Sequence, residues 1–119
     1  MQPESEDAAY LWDMLDAARA IREFVRPRSF EDYASDRMLR GAVERHIEII
    51  GEAANRVSRA FRAAHPEIPW HRIIAQRNAL AHEYGEIEDV LIWRVAIARI
   101  PELISQLEGI LPPLPSEDR

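Results

Sequence analysis

Residues 36–62 read DRMLRGAVERHIEIIGEAANRVSRAFR, and within them Leu39, Val43, Ile47, Ile50, Ala54, Val57 and Phe61 recur at intervals of three and four. That spacing puts all of them on one side of an α-helix. Asp36, just ahead of the first apolar residue, is the expected N-cap, because a short carboxylate accepts hydrogen bonds from the unpaired N–H groups of a first turn. An unbroken helix over this stretch would extend about 40 Å at about 1.5 Å per residue, longer than the core that a chain of 119 residues can wrap around it. Two explanations are open: Gly51 bends the helix, or part of it serves a second subunit.

The flanks repeat the pattern. Upstream, Leu11, Leu15, Ala18, Ile21 and Val25 predict a helix that starts after Ser5 or Asp7 and ends near Pro27, with a polar link over 28–35. Downstream, His65-Pro66-Glu67-Ile68-Pro69 breaks the period, and Pro69-Trp70 reads as a rigid entry into a third helix reaching about His82 and ended by Gly85. A last helix is expected from Ile87 to Leu107, with Ile87, Leu91, Val95 and Ala98 facing inward and Pro101 kinking or dividing it. Glu86, Glu88 and Asp89 read as negative charge placed at its start. The expected fold is all-α, an antiparallel bundle of four to five helices in one domain over 1–111, followed by a Pro-rich tail over 112–119.

Composition narrows the class of function. The chain is 47% apolar and 30% charged, an ordinary balance for a folded domain. With no cysteine, thiol nucleophiles, disulfides and zinc-thiolate centres are excluded. Asp13, Asp16, Arg19, Arg22 and Glu23 interrupt the first apolar stretch, so it reads neither as a signal peptide nor as a membrane span, and a cytoplasmic protein is expected. All fifteen basic residues are arginine, the better planar ligand for phosphate. The net charge of -6 opposes a broad nucleic-acid-binding face, yet it divides as -5 over 1–36, +4 over 37–77 and -5 over 78–119, which is compatible with a local phosphate site.

The third helix is the anomalous one. Its inward stripe reads Ile73, Arg77, Leu80, Tyr84, and the adjacent row reads Ile74, Asn78, Ala81, so an arginine and an asparagine stand where apolar residues are expected. A guanidinium there needs a partner: either an acid of the preceding helix, Glu48 or Glu52, or a phosphate. His82 follows Arg77 by five residues, about 140° around a helix, so one copy cannot easily aim both at one phosphate. Two copies of the helix meeting across a two-fold axis remove the difficulty, which motivates a homodimer.

Arg77, four residues, His82, one residue, Tyr84, with Asn78 directly after the arginine, resembles the signature of HEPN ribonucleases of the HepT-like family. Ile49-Ile50-Gly51-Glu52-Ala53-Ala54, Ile68-Pro69-Trp70 with Ile73-Ile74, and Ile100-Pro101-Glu102-Leu103 resemble that family's surrounding segments, over about 40–107. The resemblance implies a metal-independent RNA endonuclease, the toxin of a HepT/MntA-like toxin–antitoxin system, active as a homodimer and needing no cofactor. Arg77 and His82 are then the expected catalytic pair, with Asn78 and Tyr84 as further phosphate or RNA contacts. A histidine near neutral pKa suits proton transfer at a ribose 2′-OH and at the leaving 5′-oxygen, and a guanidinium suits the charge growing on the phosphate. The resemblance also implies that a partner nucleotidyltransferase antitoxin attaches AMP to Tyr84, setting charge and bulk beside Arg77 and His82. The competing reading is a non-catalytic helical module that presents substrate, or Tyr84, to such a partner. Of the remaining basic residues, His46, His65 and His71 are expected to serve packing or hydrogen bonding, and Arg56, Arg59 and Arg62 form either a solvated row or a guide for RNA.

Overall fold

Helix α1 (Ser5–Val25) buries Leu11, Leu15, Ala18, Ile21 and Val25 as their spacing predicts, together with Met14 and Ala17. Its N-terminus differs from expectation. Glu4 is the N-cap and its side chain makes no capping bond, while Asp7 lies within the first turn and reaches across the bundle. The Asp7 carboxylate accepts from Ser58 N–H at 2.8 Å and from Ser58 Oγ at 2.7 Å, and Ser58 Oγ in turn accepts from Phe61 N–H at 3.1 Å. Asp7 thus pins the start of α1 to the N-cap of another helix 51 residues away. Asp7→Ala strands a half-buried N–H and is expected to cost about 2 kcal/mol of stability, read as a lower urea midpoint at unchanged slope.

The computed structural model describes residues 4–82 and 89–111, and every element among them is helical. The link over 28–35 contains a short helix, α2 (Phe30–Ser35), that apolar periodicity is too short to reveal. Its signal is local: Ser29 Oγ accepts from Asp32 N–H at 3.1 Å and the Asp32 carboxylate accepts from Ser29 N–H at 2.9 Å, a reciprocal capping box.

Helix α3 (Arg37–Arg56) starts where Asp36 predicts, its carboxylate accepting from Leu39 N–H at 3.1 Å. The expected long helix is not continuous. It stops at Arg56, Val57 turns extended, and Ser58 caps a separate α4 (Arg59–Ala64). The apolar period survives the break, since Leu39, Val43, Ile47, Ile50, Ala54, Val57 and Phe61 are all buried. That survival is why periodicity alone could not locate it. Helix α3 runs antiparallel to α1: Phe24 meets His46 edge-on at 5.1 Å near one end, and Asp7 meets Ser58 at the other.

Helix α5 (Trp70–His82) packs on α3. The last rod is divided, as Pro101 predicts, into α6 (Asp89–Arg94), a π-helical turn (Val95–Arg99) and α7 (Ile100–Ile110). Proline has no N–H and its ring crowds the carbonyl four residues back, and the widened turn, in which Ile100 N–H donates to Val95 O, accommodates it. The inward face expected here is found in part: Val95 is half-buried against the core, but the rest of the buried face lies about one residue further on. Leu91 is 51% exposed and Ala98 is exposed, whereas Ile92, Trp93, Ala96, Ile100, Leu103, Ile104 and Leu107 are buried. Trp93 packs on Tyr33 at 5.4 Å and Phe30 at 6.3 Å, so the unforeseen α2 sets the phase of the rod. Ile87, Gly85 and the residues 112–119 read as a tail lie outside the described residues. Among the described residues no helix is long and apolar enough to cross a membrane.

Around α2, Tyr33 is fully buried, and burial pushes its phenol well above the ordinary tyrosine range. Burial and the neighbouring Asp89 also raise the Glu44 carboxyl, while Arg40, within 4.0 Å of Asp89, partly offsets them.

Candidate functional site

Arg77 lies in the middle of α5, and what lets it sit there is Gly51 of α3. A Cβ built on Gly51 would overlap Arg77 Cβ, approach Arg77 Cγ at 2.7 Å and come within 3.2 Å of the Ile73 carbonyl. The glycine is therefore a point of close helix approach. Gly51, Ala53 and Ala54 are all buried on the α3 surface, and this group of small residues was the available signal. The arginine stem lies against Gly51, and the guanidinium emerges at the edge of the helix pair with the side chain 33% exposed.

Two neighbours orient the guanidinium. Its Nη1 donates to Asn78 Oδ1 at 3.0 Å, and its Nη2 lies 3.8 Å from Glu52 Oε2. The second distance exceeds hydrogen-bond range, and Glu52 also lies 3.6 Å from Arg45 Nη1, so one carboxylate is divided between two cations. The acid partner considered from sequence is thus Glu52, in a loose and solvent-accessible pair. A guanidinium carries five N–H donors, and a single one of them is used in a hydrogen bond among the described residues. The arrangement can hold a phosphate oxygen without first breaking a buried ion pair. Asn78 is exposed beside it.

His82 is the last residue of α5. It follows Arg77 by five residues, about 140° around an ideal helix. Its side chain and all of Tyr84 lie outside the described residues. The side of α5 opposite α3 carries His71, Ala75, Asn78 and Ala79, all exposed, so a face with two small residues at its centre is left uncovered by the described residues.

The other histidines take the structural roles expected of them, with one exception. His46 Nδ1 is 2.7 Å from Ala42 O. His65 Nδ1 is 2.9 Å from Glu67 Oε2, which holds the Glu67 carboxyl below its usual range, and the His65 ring stacks against Phe61 at 4.5 Å. His71 is exposed in the first turn of α5. The row Arg56, Arg59, Arg62 is split by the break at Ser58: Arg56 ends α3, while Arg59 and Arg62 ride on α4 and overhang the start of α5. Among the described residues no three side chains of His, Asp or Glu gather into a metal-holding group.

The model of the family described as ribonuclease HepT-like matches residues 14–110. A protein of Thermococcus cleftensis named probable ribonuclease HepT is 37% identical over 101 residues, covering 85% of this chain and 92% of its own. A protein of Caldanaerobacter subterraneus provisionally named as an RNase is 38% identical over 102 residues, covering 86% and 91%. Another of Methanocaldococcus jannaschii, also provisionally named as an RNase, is 33% identical over 100 residues, covering 84% and 92%. No solved structure matches the chain. With its motif helix seated on Gly51 and its family model matched over nearly all of the described helices, this chain belongs to the HepT-like ribonuclease family.

Proposed function

We propose that the protein is a metal-independent endoribonuclease toxin acting as a homodimer. The observation that carries this reading is the mounting of Arg77: its stem is locked on Gly51, its guanidinium is at the surface beside Asn78, and its acid partner is loose. Two copies of α5 related by a two-fold axis can each contribute Arg77 and His82 to one cleft, which a single helix cannot do with residues about 140° apart. There His82 takes the proton of a ribose 2′-OH. The 2′-oxygen attacks the adjacent phosphorus, the bond to the 5′-oxygen breaks, and that oxygen leaves with a proton from a histidine, giving a 2′,3′-cyclic phosphate and a 5′-hydroxyl. Arg77 neutralises the charge that builds on the non-bridging oxygens.

A nucleotidyltransferase antitoxin neutralises the toxin by attaching AMP to Tyr84. The added phosphate and nucleotide compete with RNA for Arg77 by charge and by volume.

The test is electrophoresis of RNA incubated with wild-type and His82→Ala protein in the presence of EDTA. Wild type is expected to yield fragments ending in cyclic phosphate, and His82→Ala to lose at least about 100-fold in rate. Absent cleavage, or cleavage indifferent to His82, would replace this reading by the non-catalytic module.

A further inference from the structure

The break between α3 and α4 turns Arg59 and Arg62 over the first turn of α5, where with Pro66, Trp70 and His71 they line an open concavity of about 540 Å³. Among the described residues no acidic side chain lines it. Among the described residues neither arginine makes a salt bridge, in a chain whose other basic residues include several that do. The floor is firm: Trp70 is 7% exposed and its indole N–H donates to His65 O at 2.9 Å. Two guanidiniums and an imidazole over a rigid floor, in a protein of net charge -6, make a place selective for a phosphate group.

The concavity is not isolated from the motif. His71 at its edge and Asn78 beside Arg77 are seven residues apart on α5, two helical turns, so they share one exposed face and are separated by about 10 Å along the axis. A stacked strand advances about 3.4 Å per phosphate. The two positions therefore match phosphates about three nucleotides apart on one strand.

We infer that Arg59, Arg62 and His71 form a distal phosphate subsite that grips the RNA strand about three nucleotides from the bond to be cut. The inference rests on the RNase reading for its substrate and extends it from one phosphate to a directed strand path. The subsite makes the protein discriminate by strand length, since an oligonucleotide of three residues cannot occupy both positions at once.

The experiment measures binding of a twelve-nucleotide and a three-nucleotide oligouridylate to full-length protein carrying His82→Ala, with and without Arg59→Gln and Arg62→Gln together. The pair of changes is expected to weaken binding of the longer strand about ten-fold and to flatten its dependence on log salt by about 0.7, the value for one lost phosphate contact on a single strand. The preference for the longer strand then falls by a similar factor, and Arg59→Lys with Arg62→Lys restores most of it. An unchanged length preference overturns the subsite. So does an equal loss on both strands, or a lysine pair as poor as the glutamine pair, either of which marks general charge or fold damage instead. Should wild type cut no RNA while the arginine pair still sets the length preference, the RNase reading falls and the strand path stands; cleavage indifferent to the pair is the converse.

Discussion

Arg77→Ala is expected to lower RNA cleavage by about 100- to 1000-fold, the usual consequence of removing one donor that stabilises transition-state charge, while the protein stays folded. The stability side of this expectation follows from the geometry. The pair with Glu52 spans 3.8 Å between side chains 33% and 42% exposed, and such pairs contribute about 0–1 kcal/mol. The alanine keeps the Cβ that rests on Gly51 and gives up only the stem beyond it. A thermal melt should therefore move by no more than about 5–8 °C for a domain of this size. Were Arg77 instead one half of a structural ion pair sealed in the core, its removal would cost about 3–5 kcal/mol and unfold much of the population. Arg77→Lys sharpens the comparison, because lysine keeps the charge and loses the planar fork. Cleavage by the lysine variant should remain well below wild type; full activity would show that charge alone suffices there.

Gly51→Ala should destabilise, although helix propensity by itself predicts the reverse. In an open helical position, alanine in place of glycine stabilises by about 1 kcal/mol. Here the new methyl overlaps Arg77 Cβ and crowds the Ile73 carbonyl, atoms fixed to backbone that cannot swing aside as a flexible side-chain end does. Helix α5 has to lift from α3, and overpacking of this kind costs about 1–3 kcal/mol, with more expected for Gly51→Leu. The lift also displaces the guanidinium from its place beside Asn78, and a misplacement of about 1 Å in a positioned group can remove about 100-fold of rate. Denaturant titration together with cleavage at low temperature reads both effects. An alanine variant more stable than wild type would show that α3 and α5 do not meet as closely as described, and the account of Arg77 would fail with it.

Much of the helical content was legible because it rests on short-range causes. Apolar residues three and four apart named the buried faces of α1 and α3, Asp36 marked a cap, and Pro69 and Pro101 marked an entry and a division. The reading failed where a distant contact overrode a local pattern. The apolar period runs through Val57 without a gap, yet the chain breaks there because Asp7, 51 residues earlier, supplies the acceptor that pairs Ser58. The face of the last rod is set by Tyr33 and Phe30 against Trp93, on a helix too short to show a period.

By itself the sequence determined the chemistry on offer: an arginine, asparagine, histidine and tyrosine closely spaced along the chain, no thiols, and a basic centre between acidic ends. Those are properties of residue type and spacing, which need no neighbour to be true. Only the tertiary structure decided how Arg77 is held and that Arg59 and Arg62 come to the start of its helix. The reason is that both depend on where separate helices approach: Gly51 admits Arg77 because α5 lies against α3, and Arg59 and Arg62 reach the start of α5 because α4 turns away from α3.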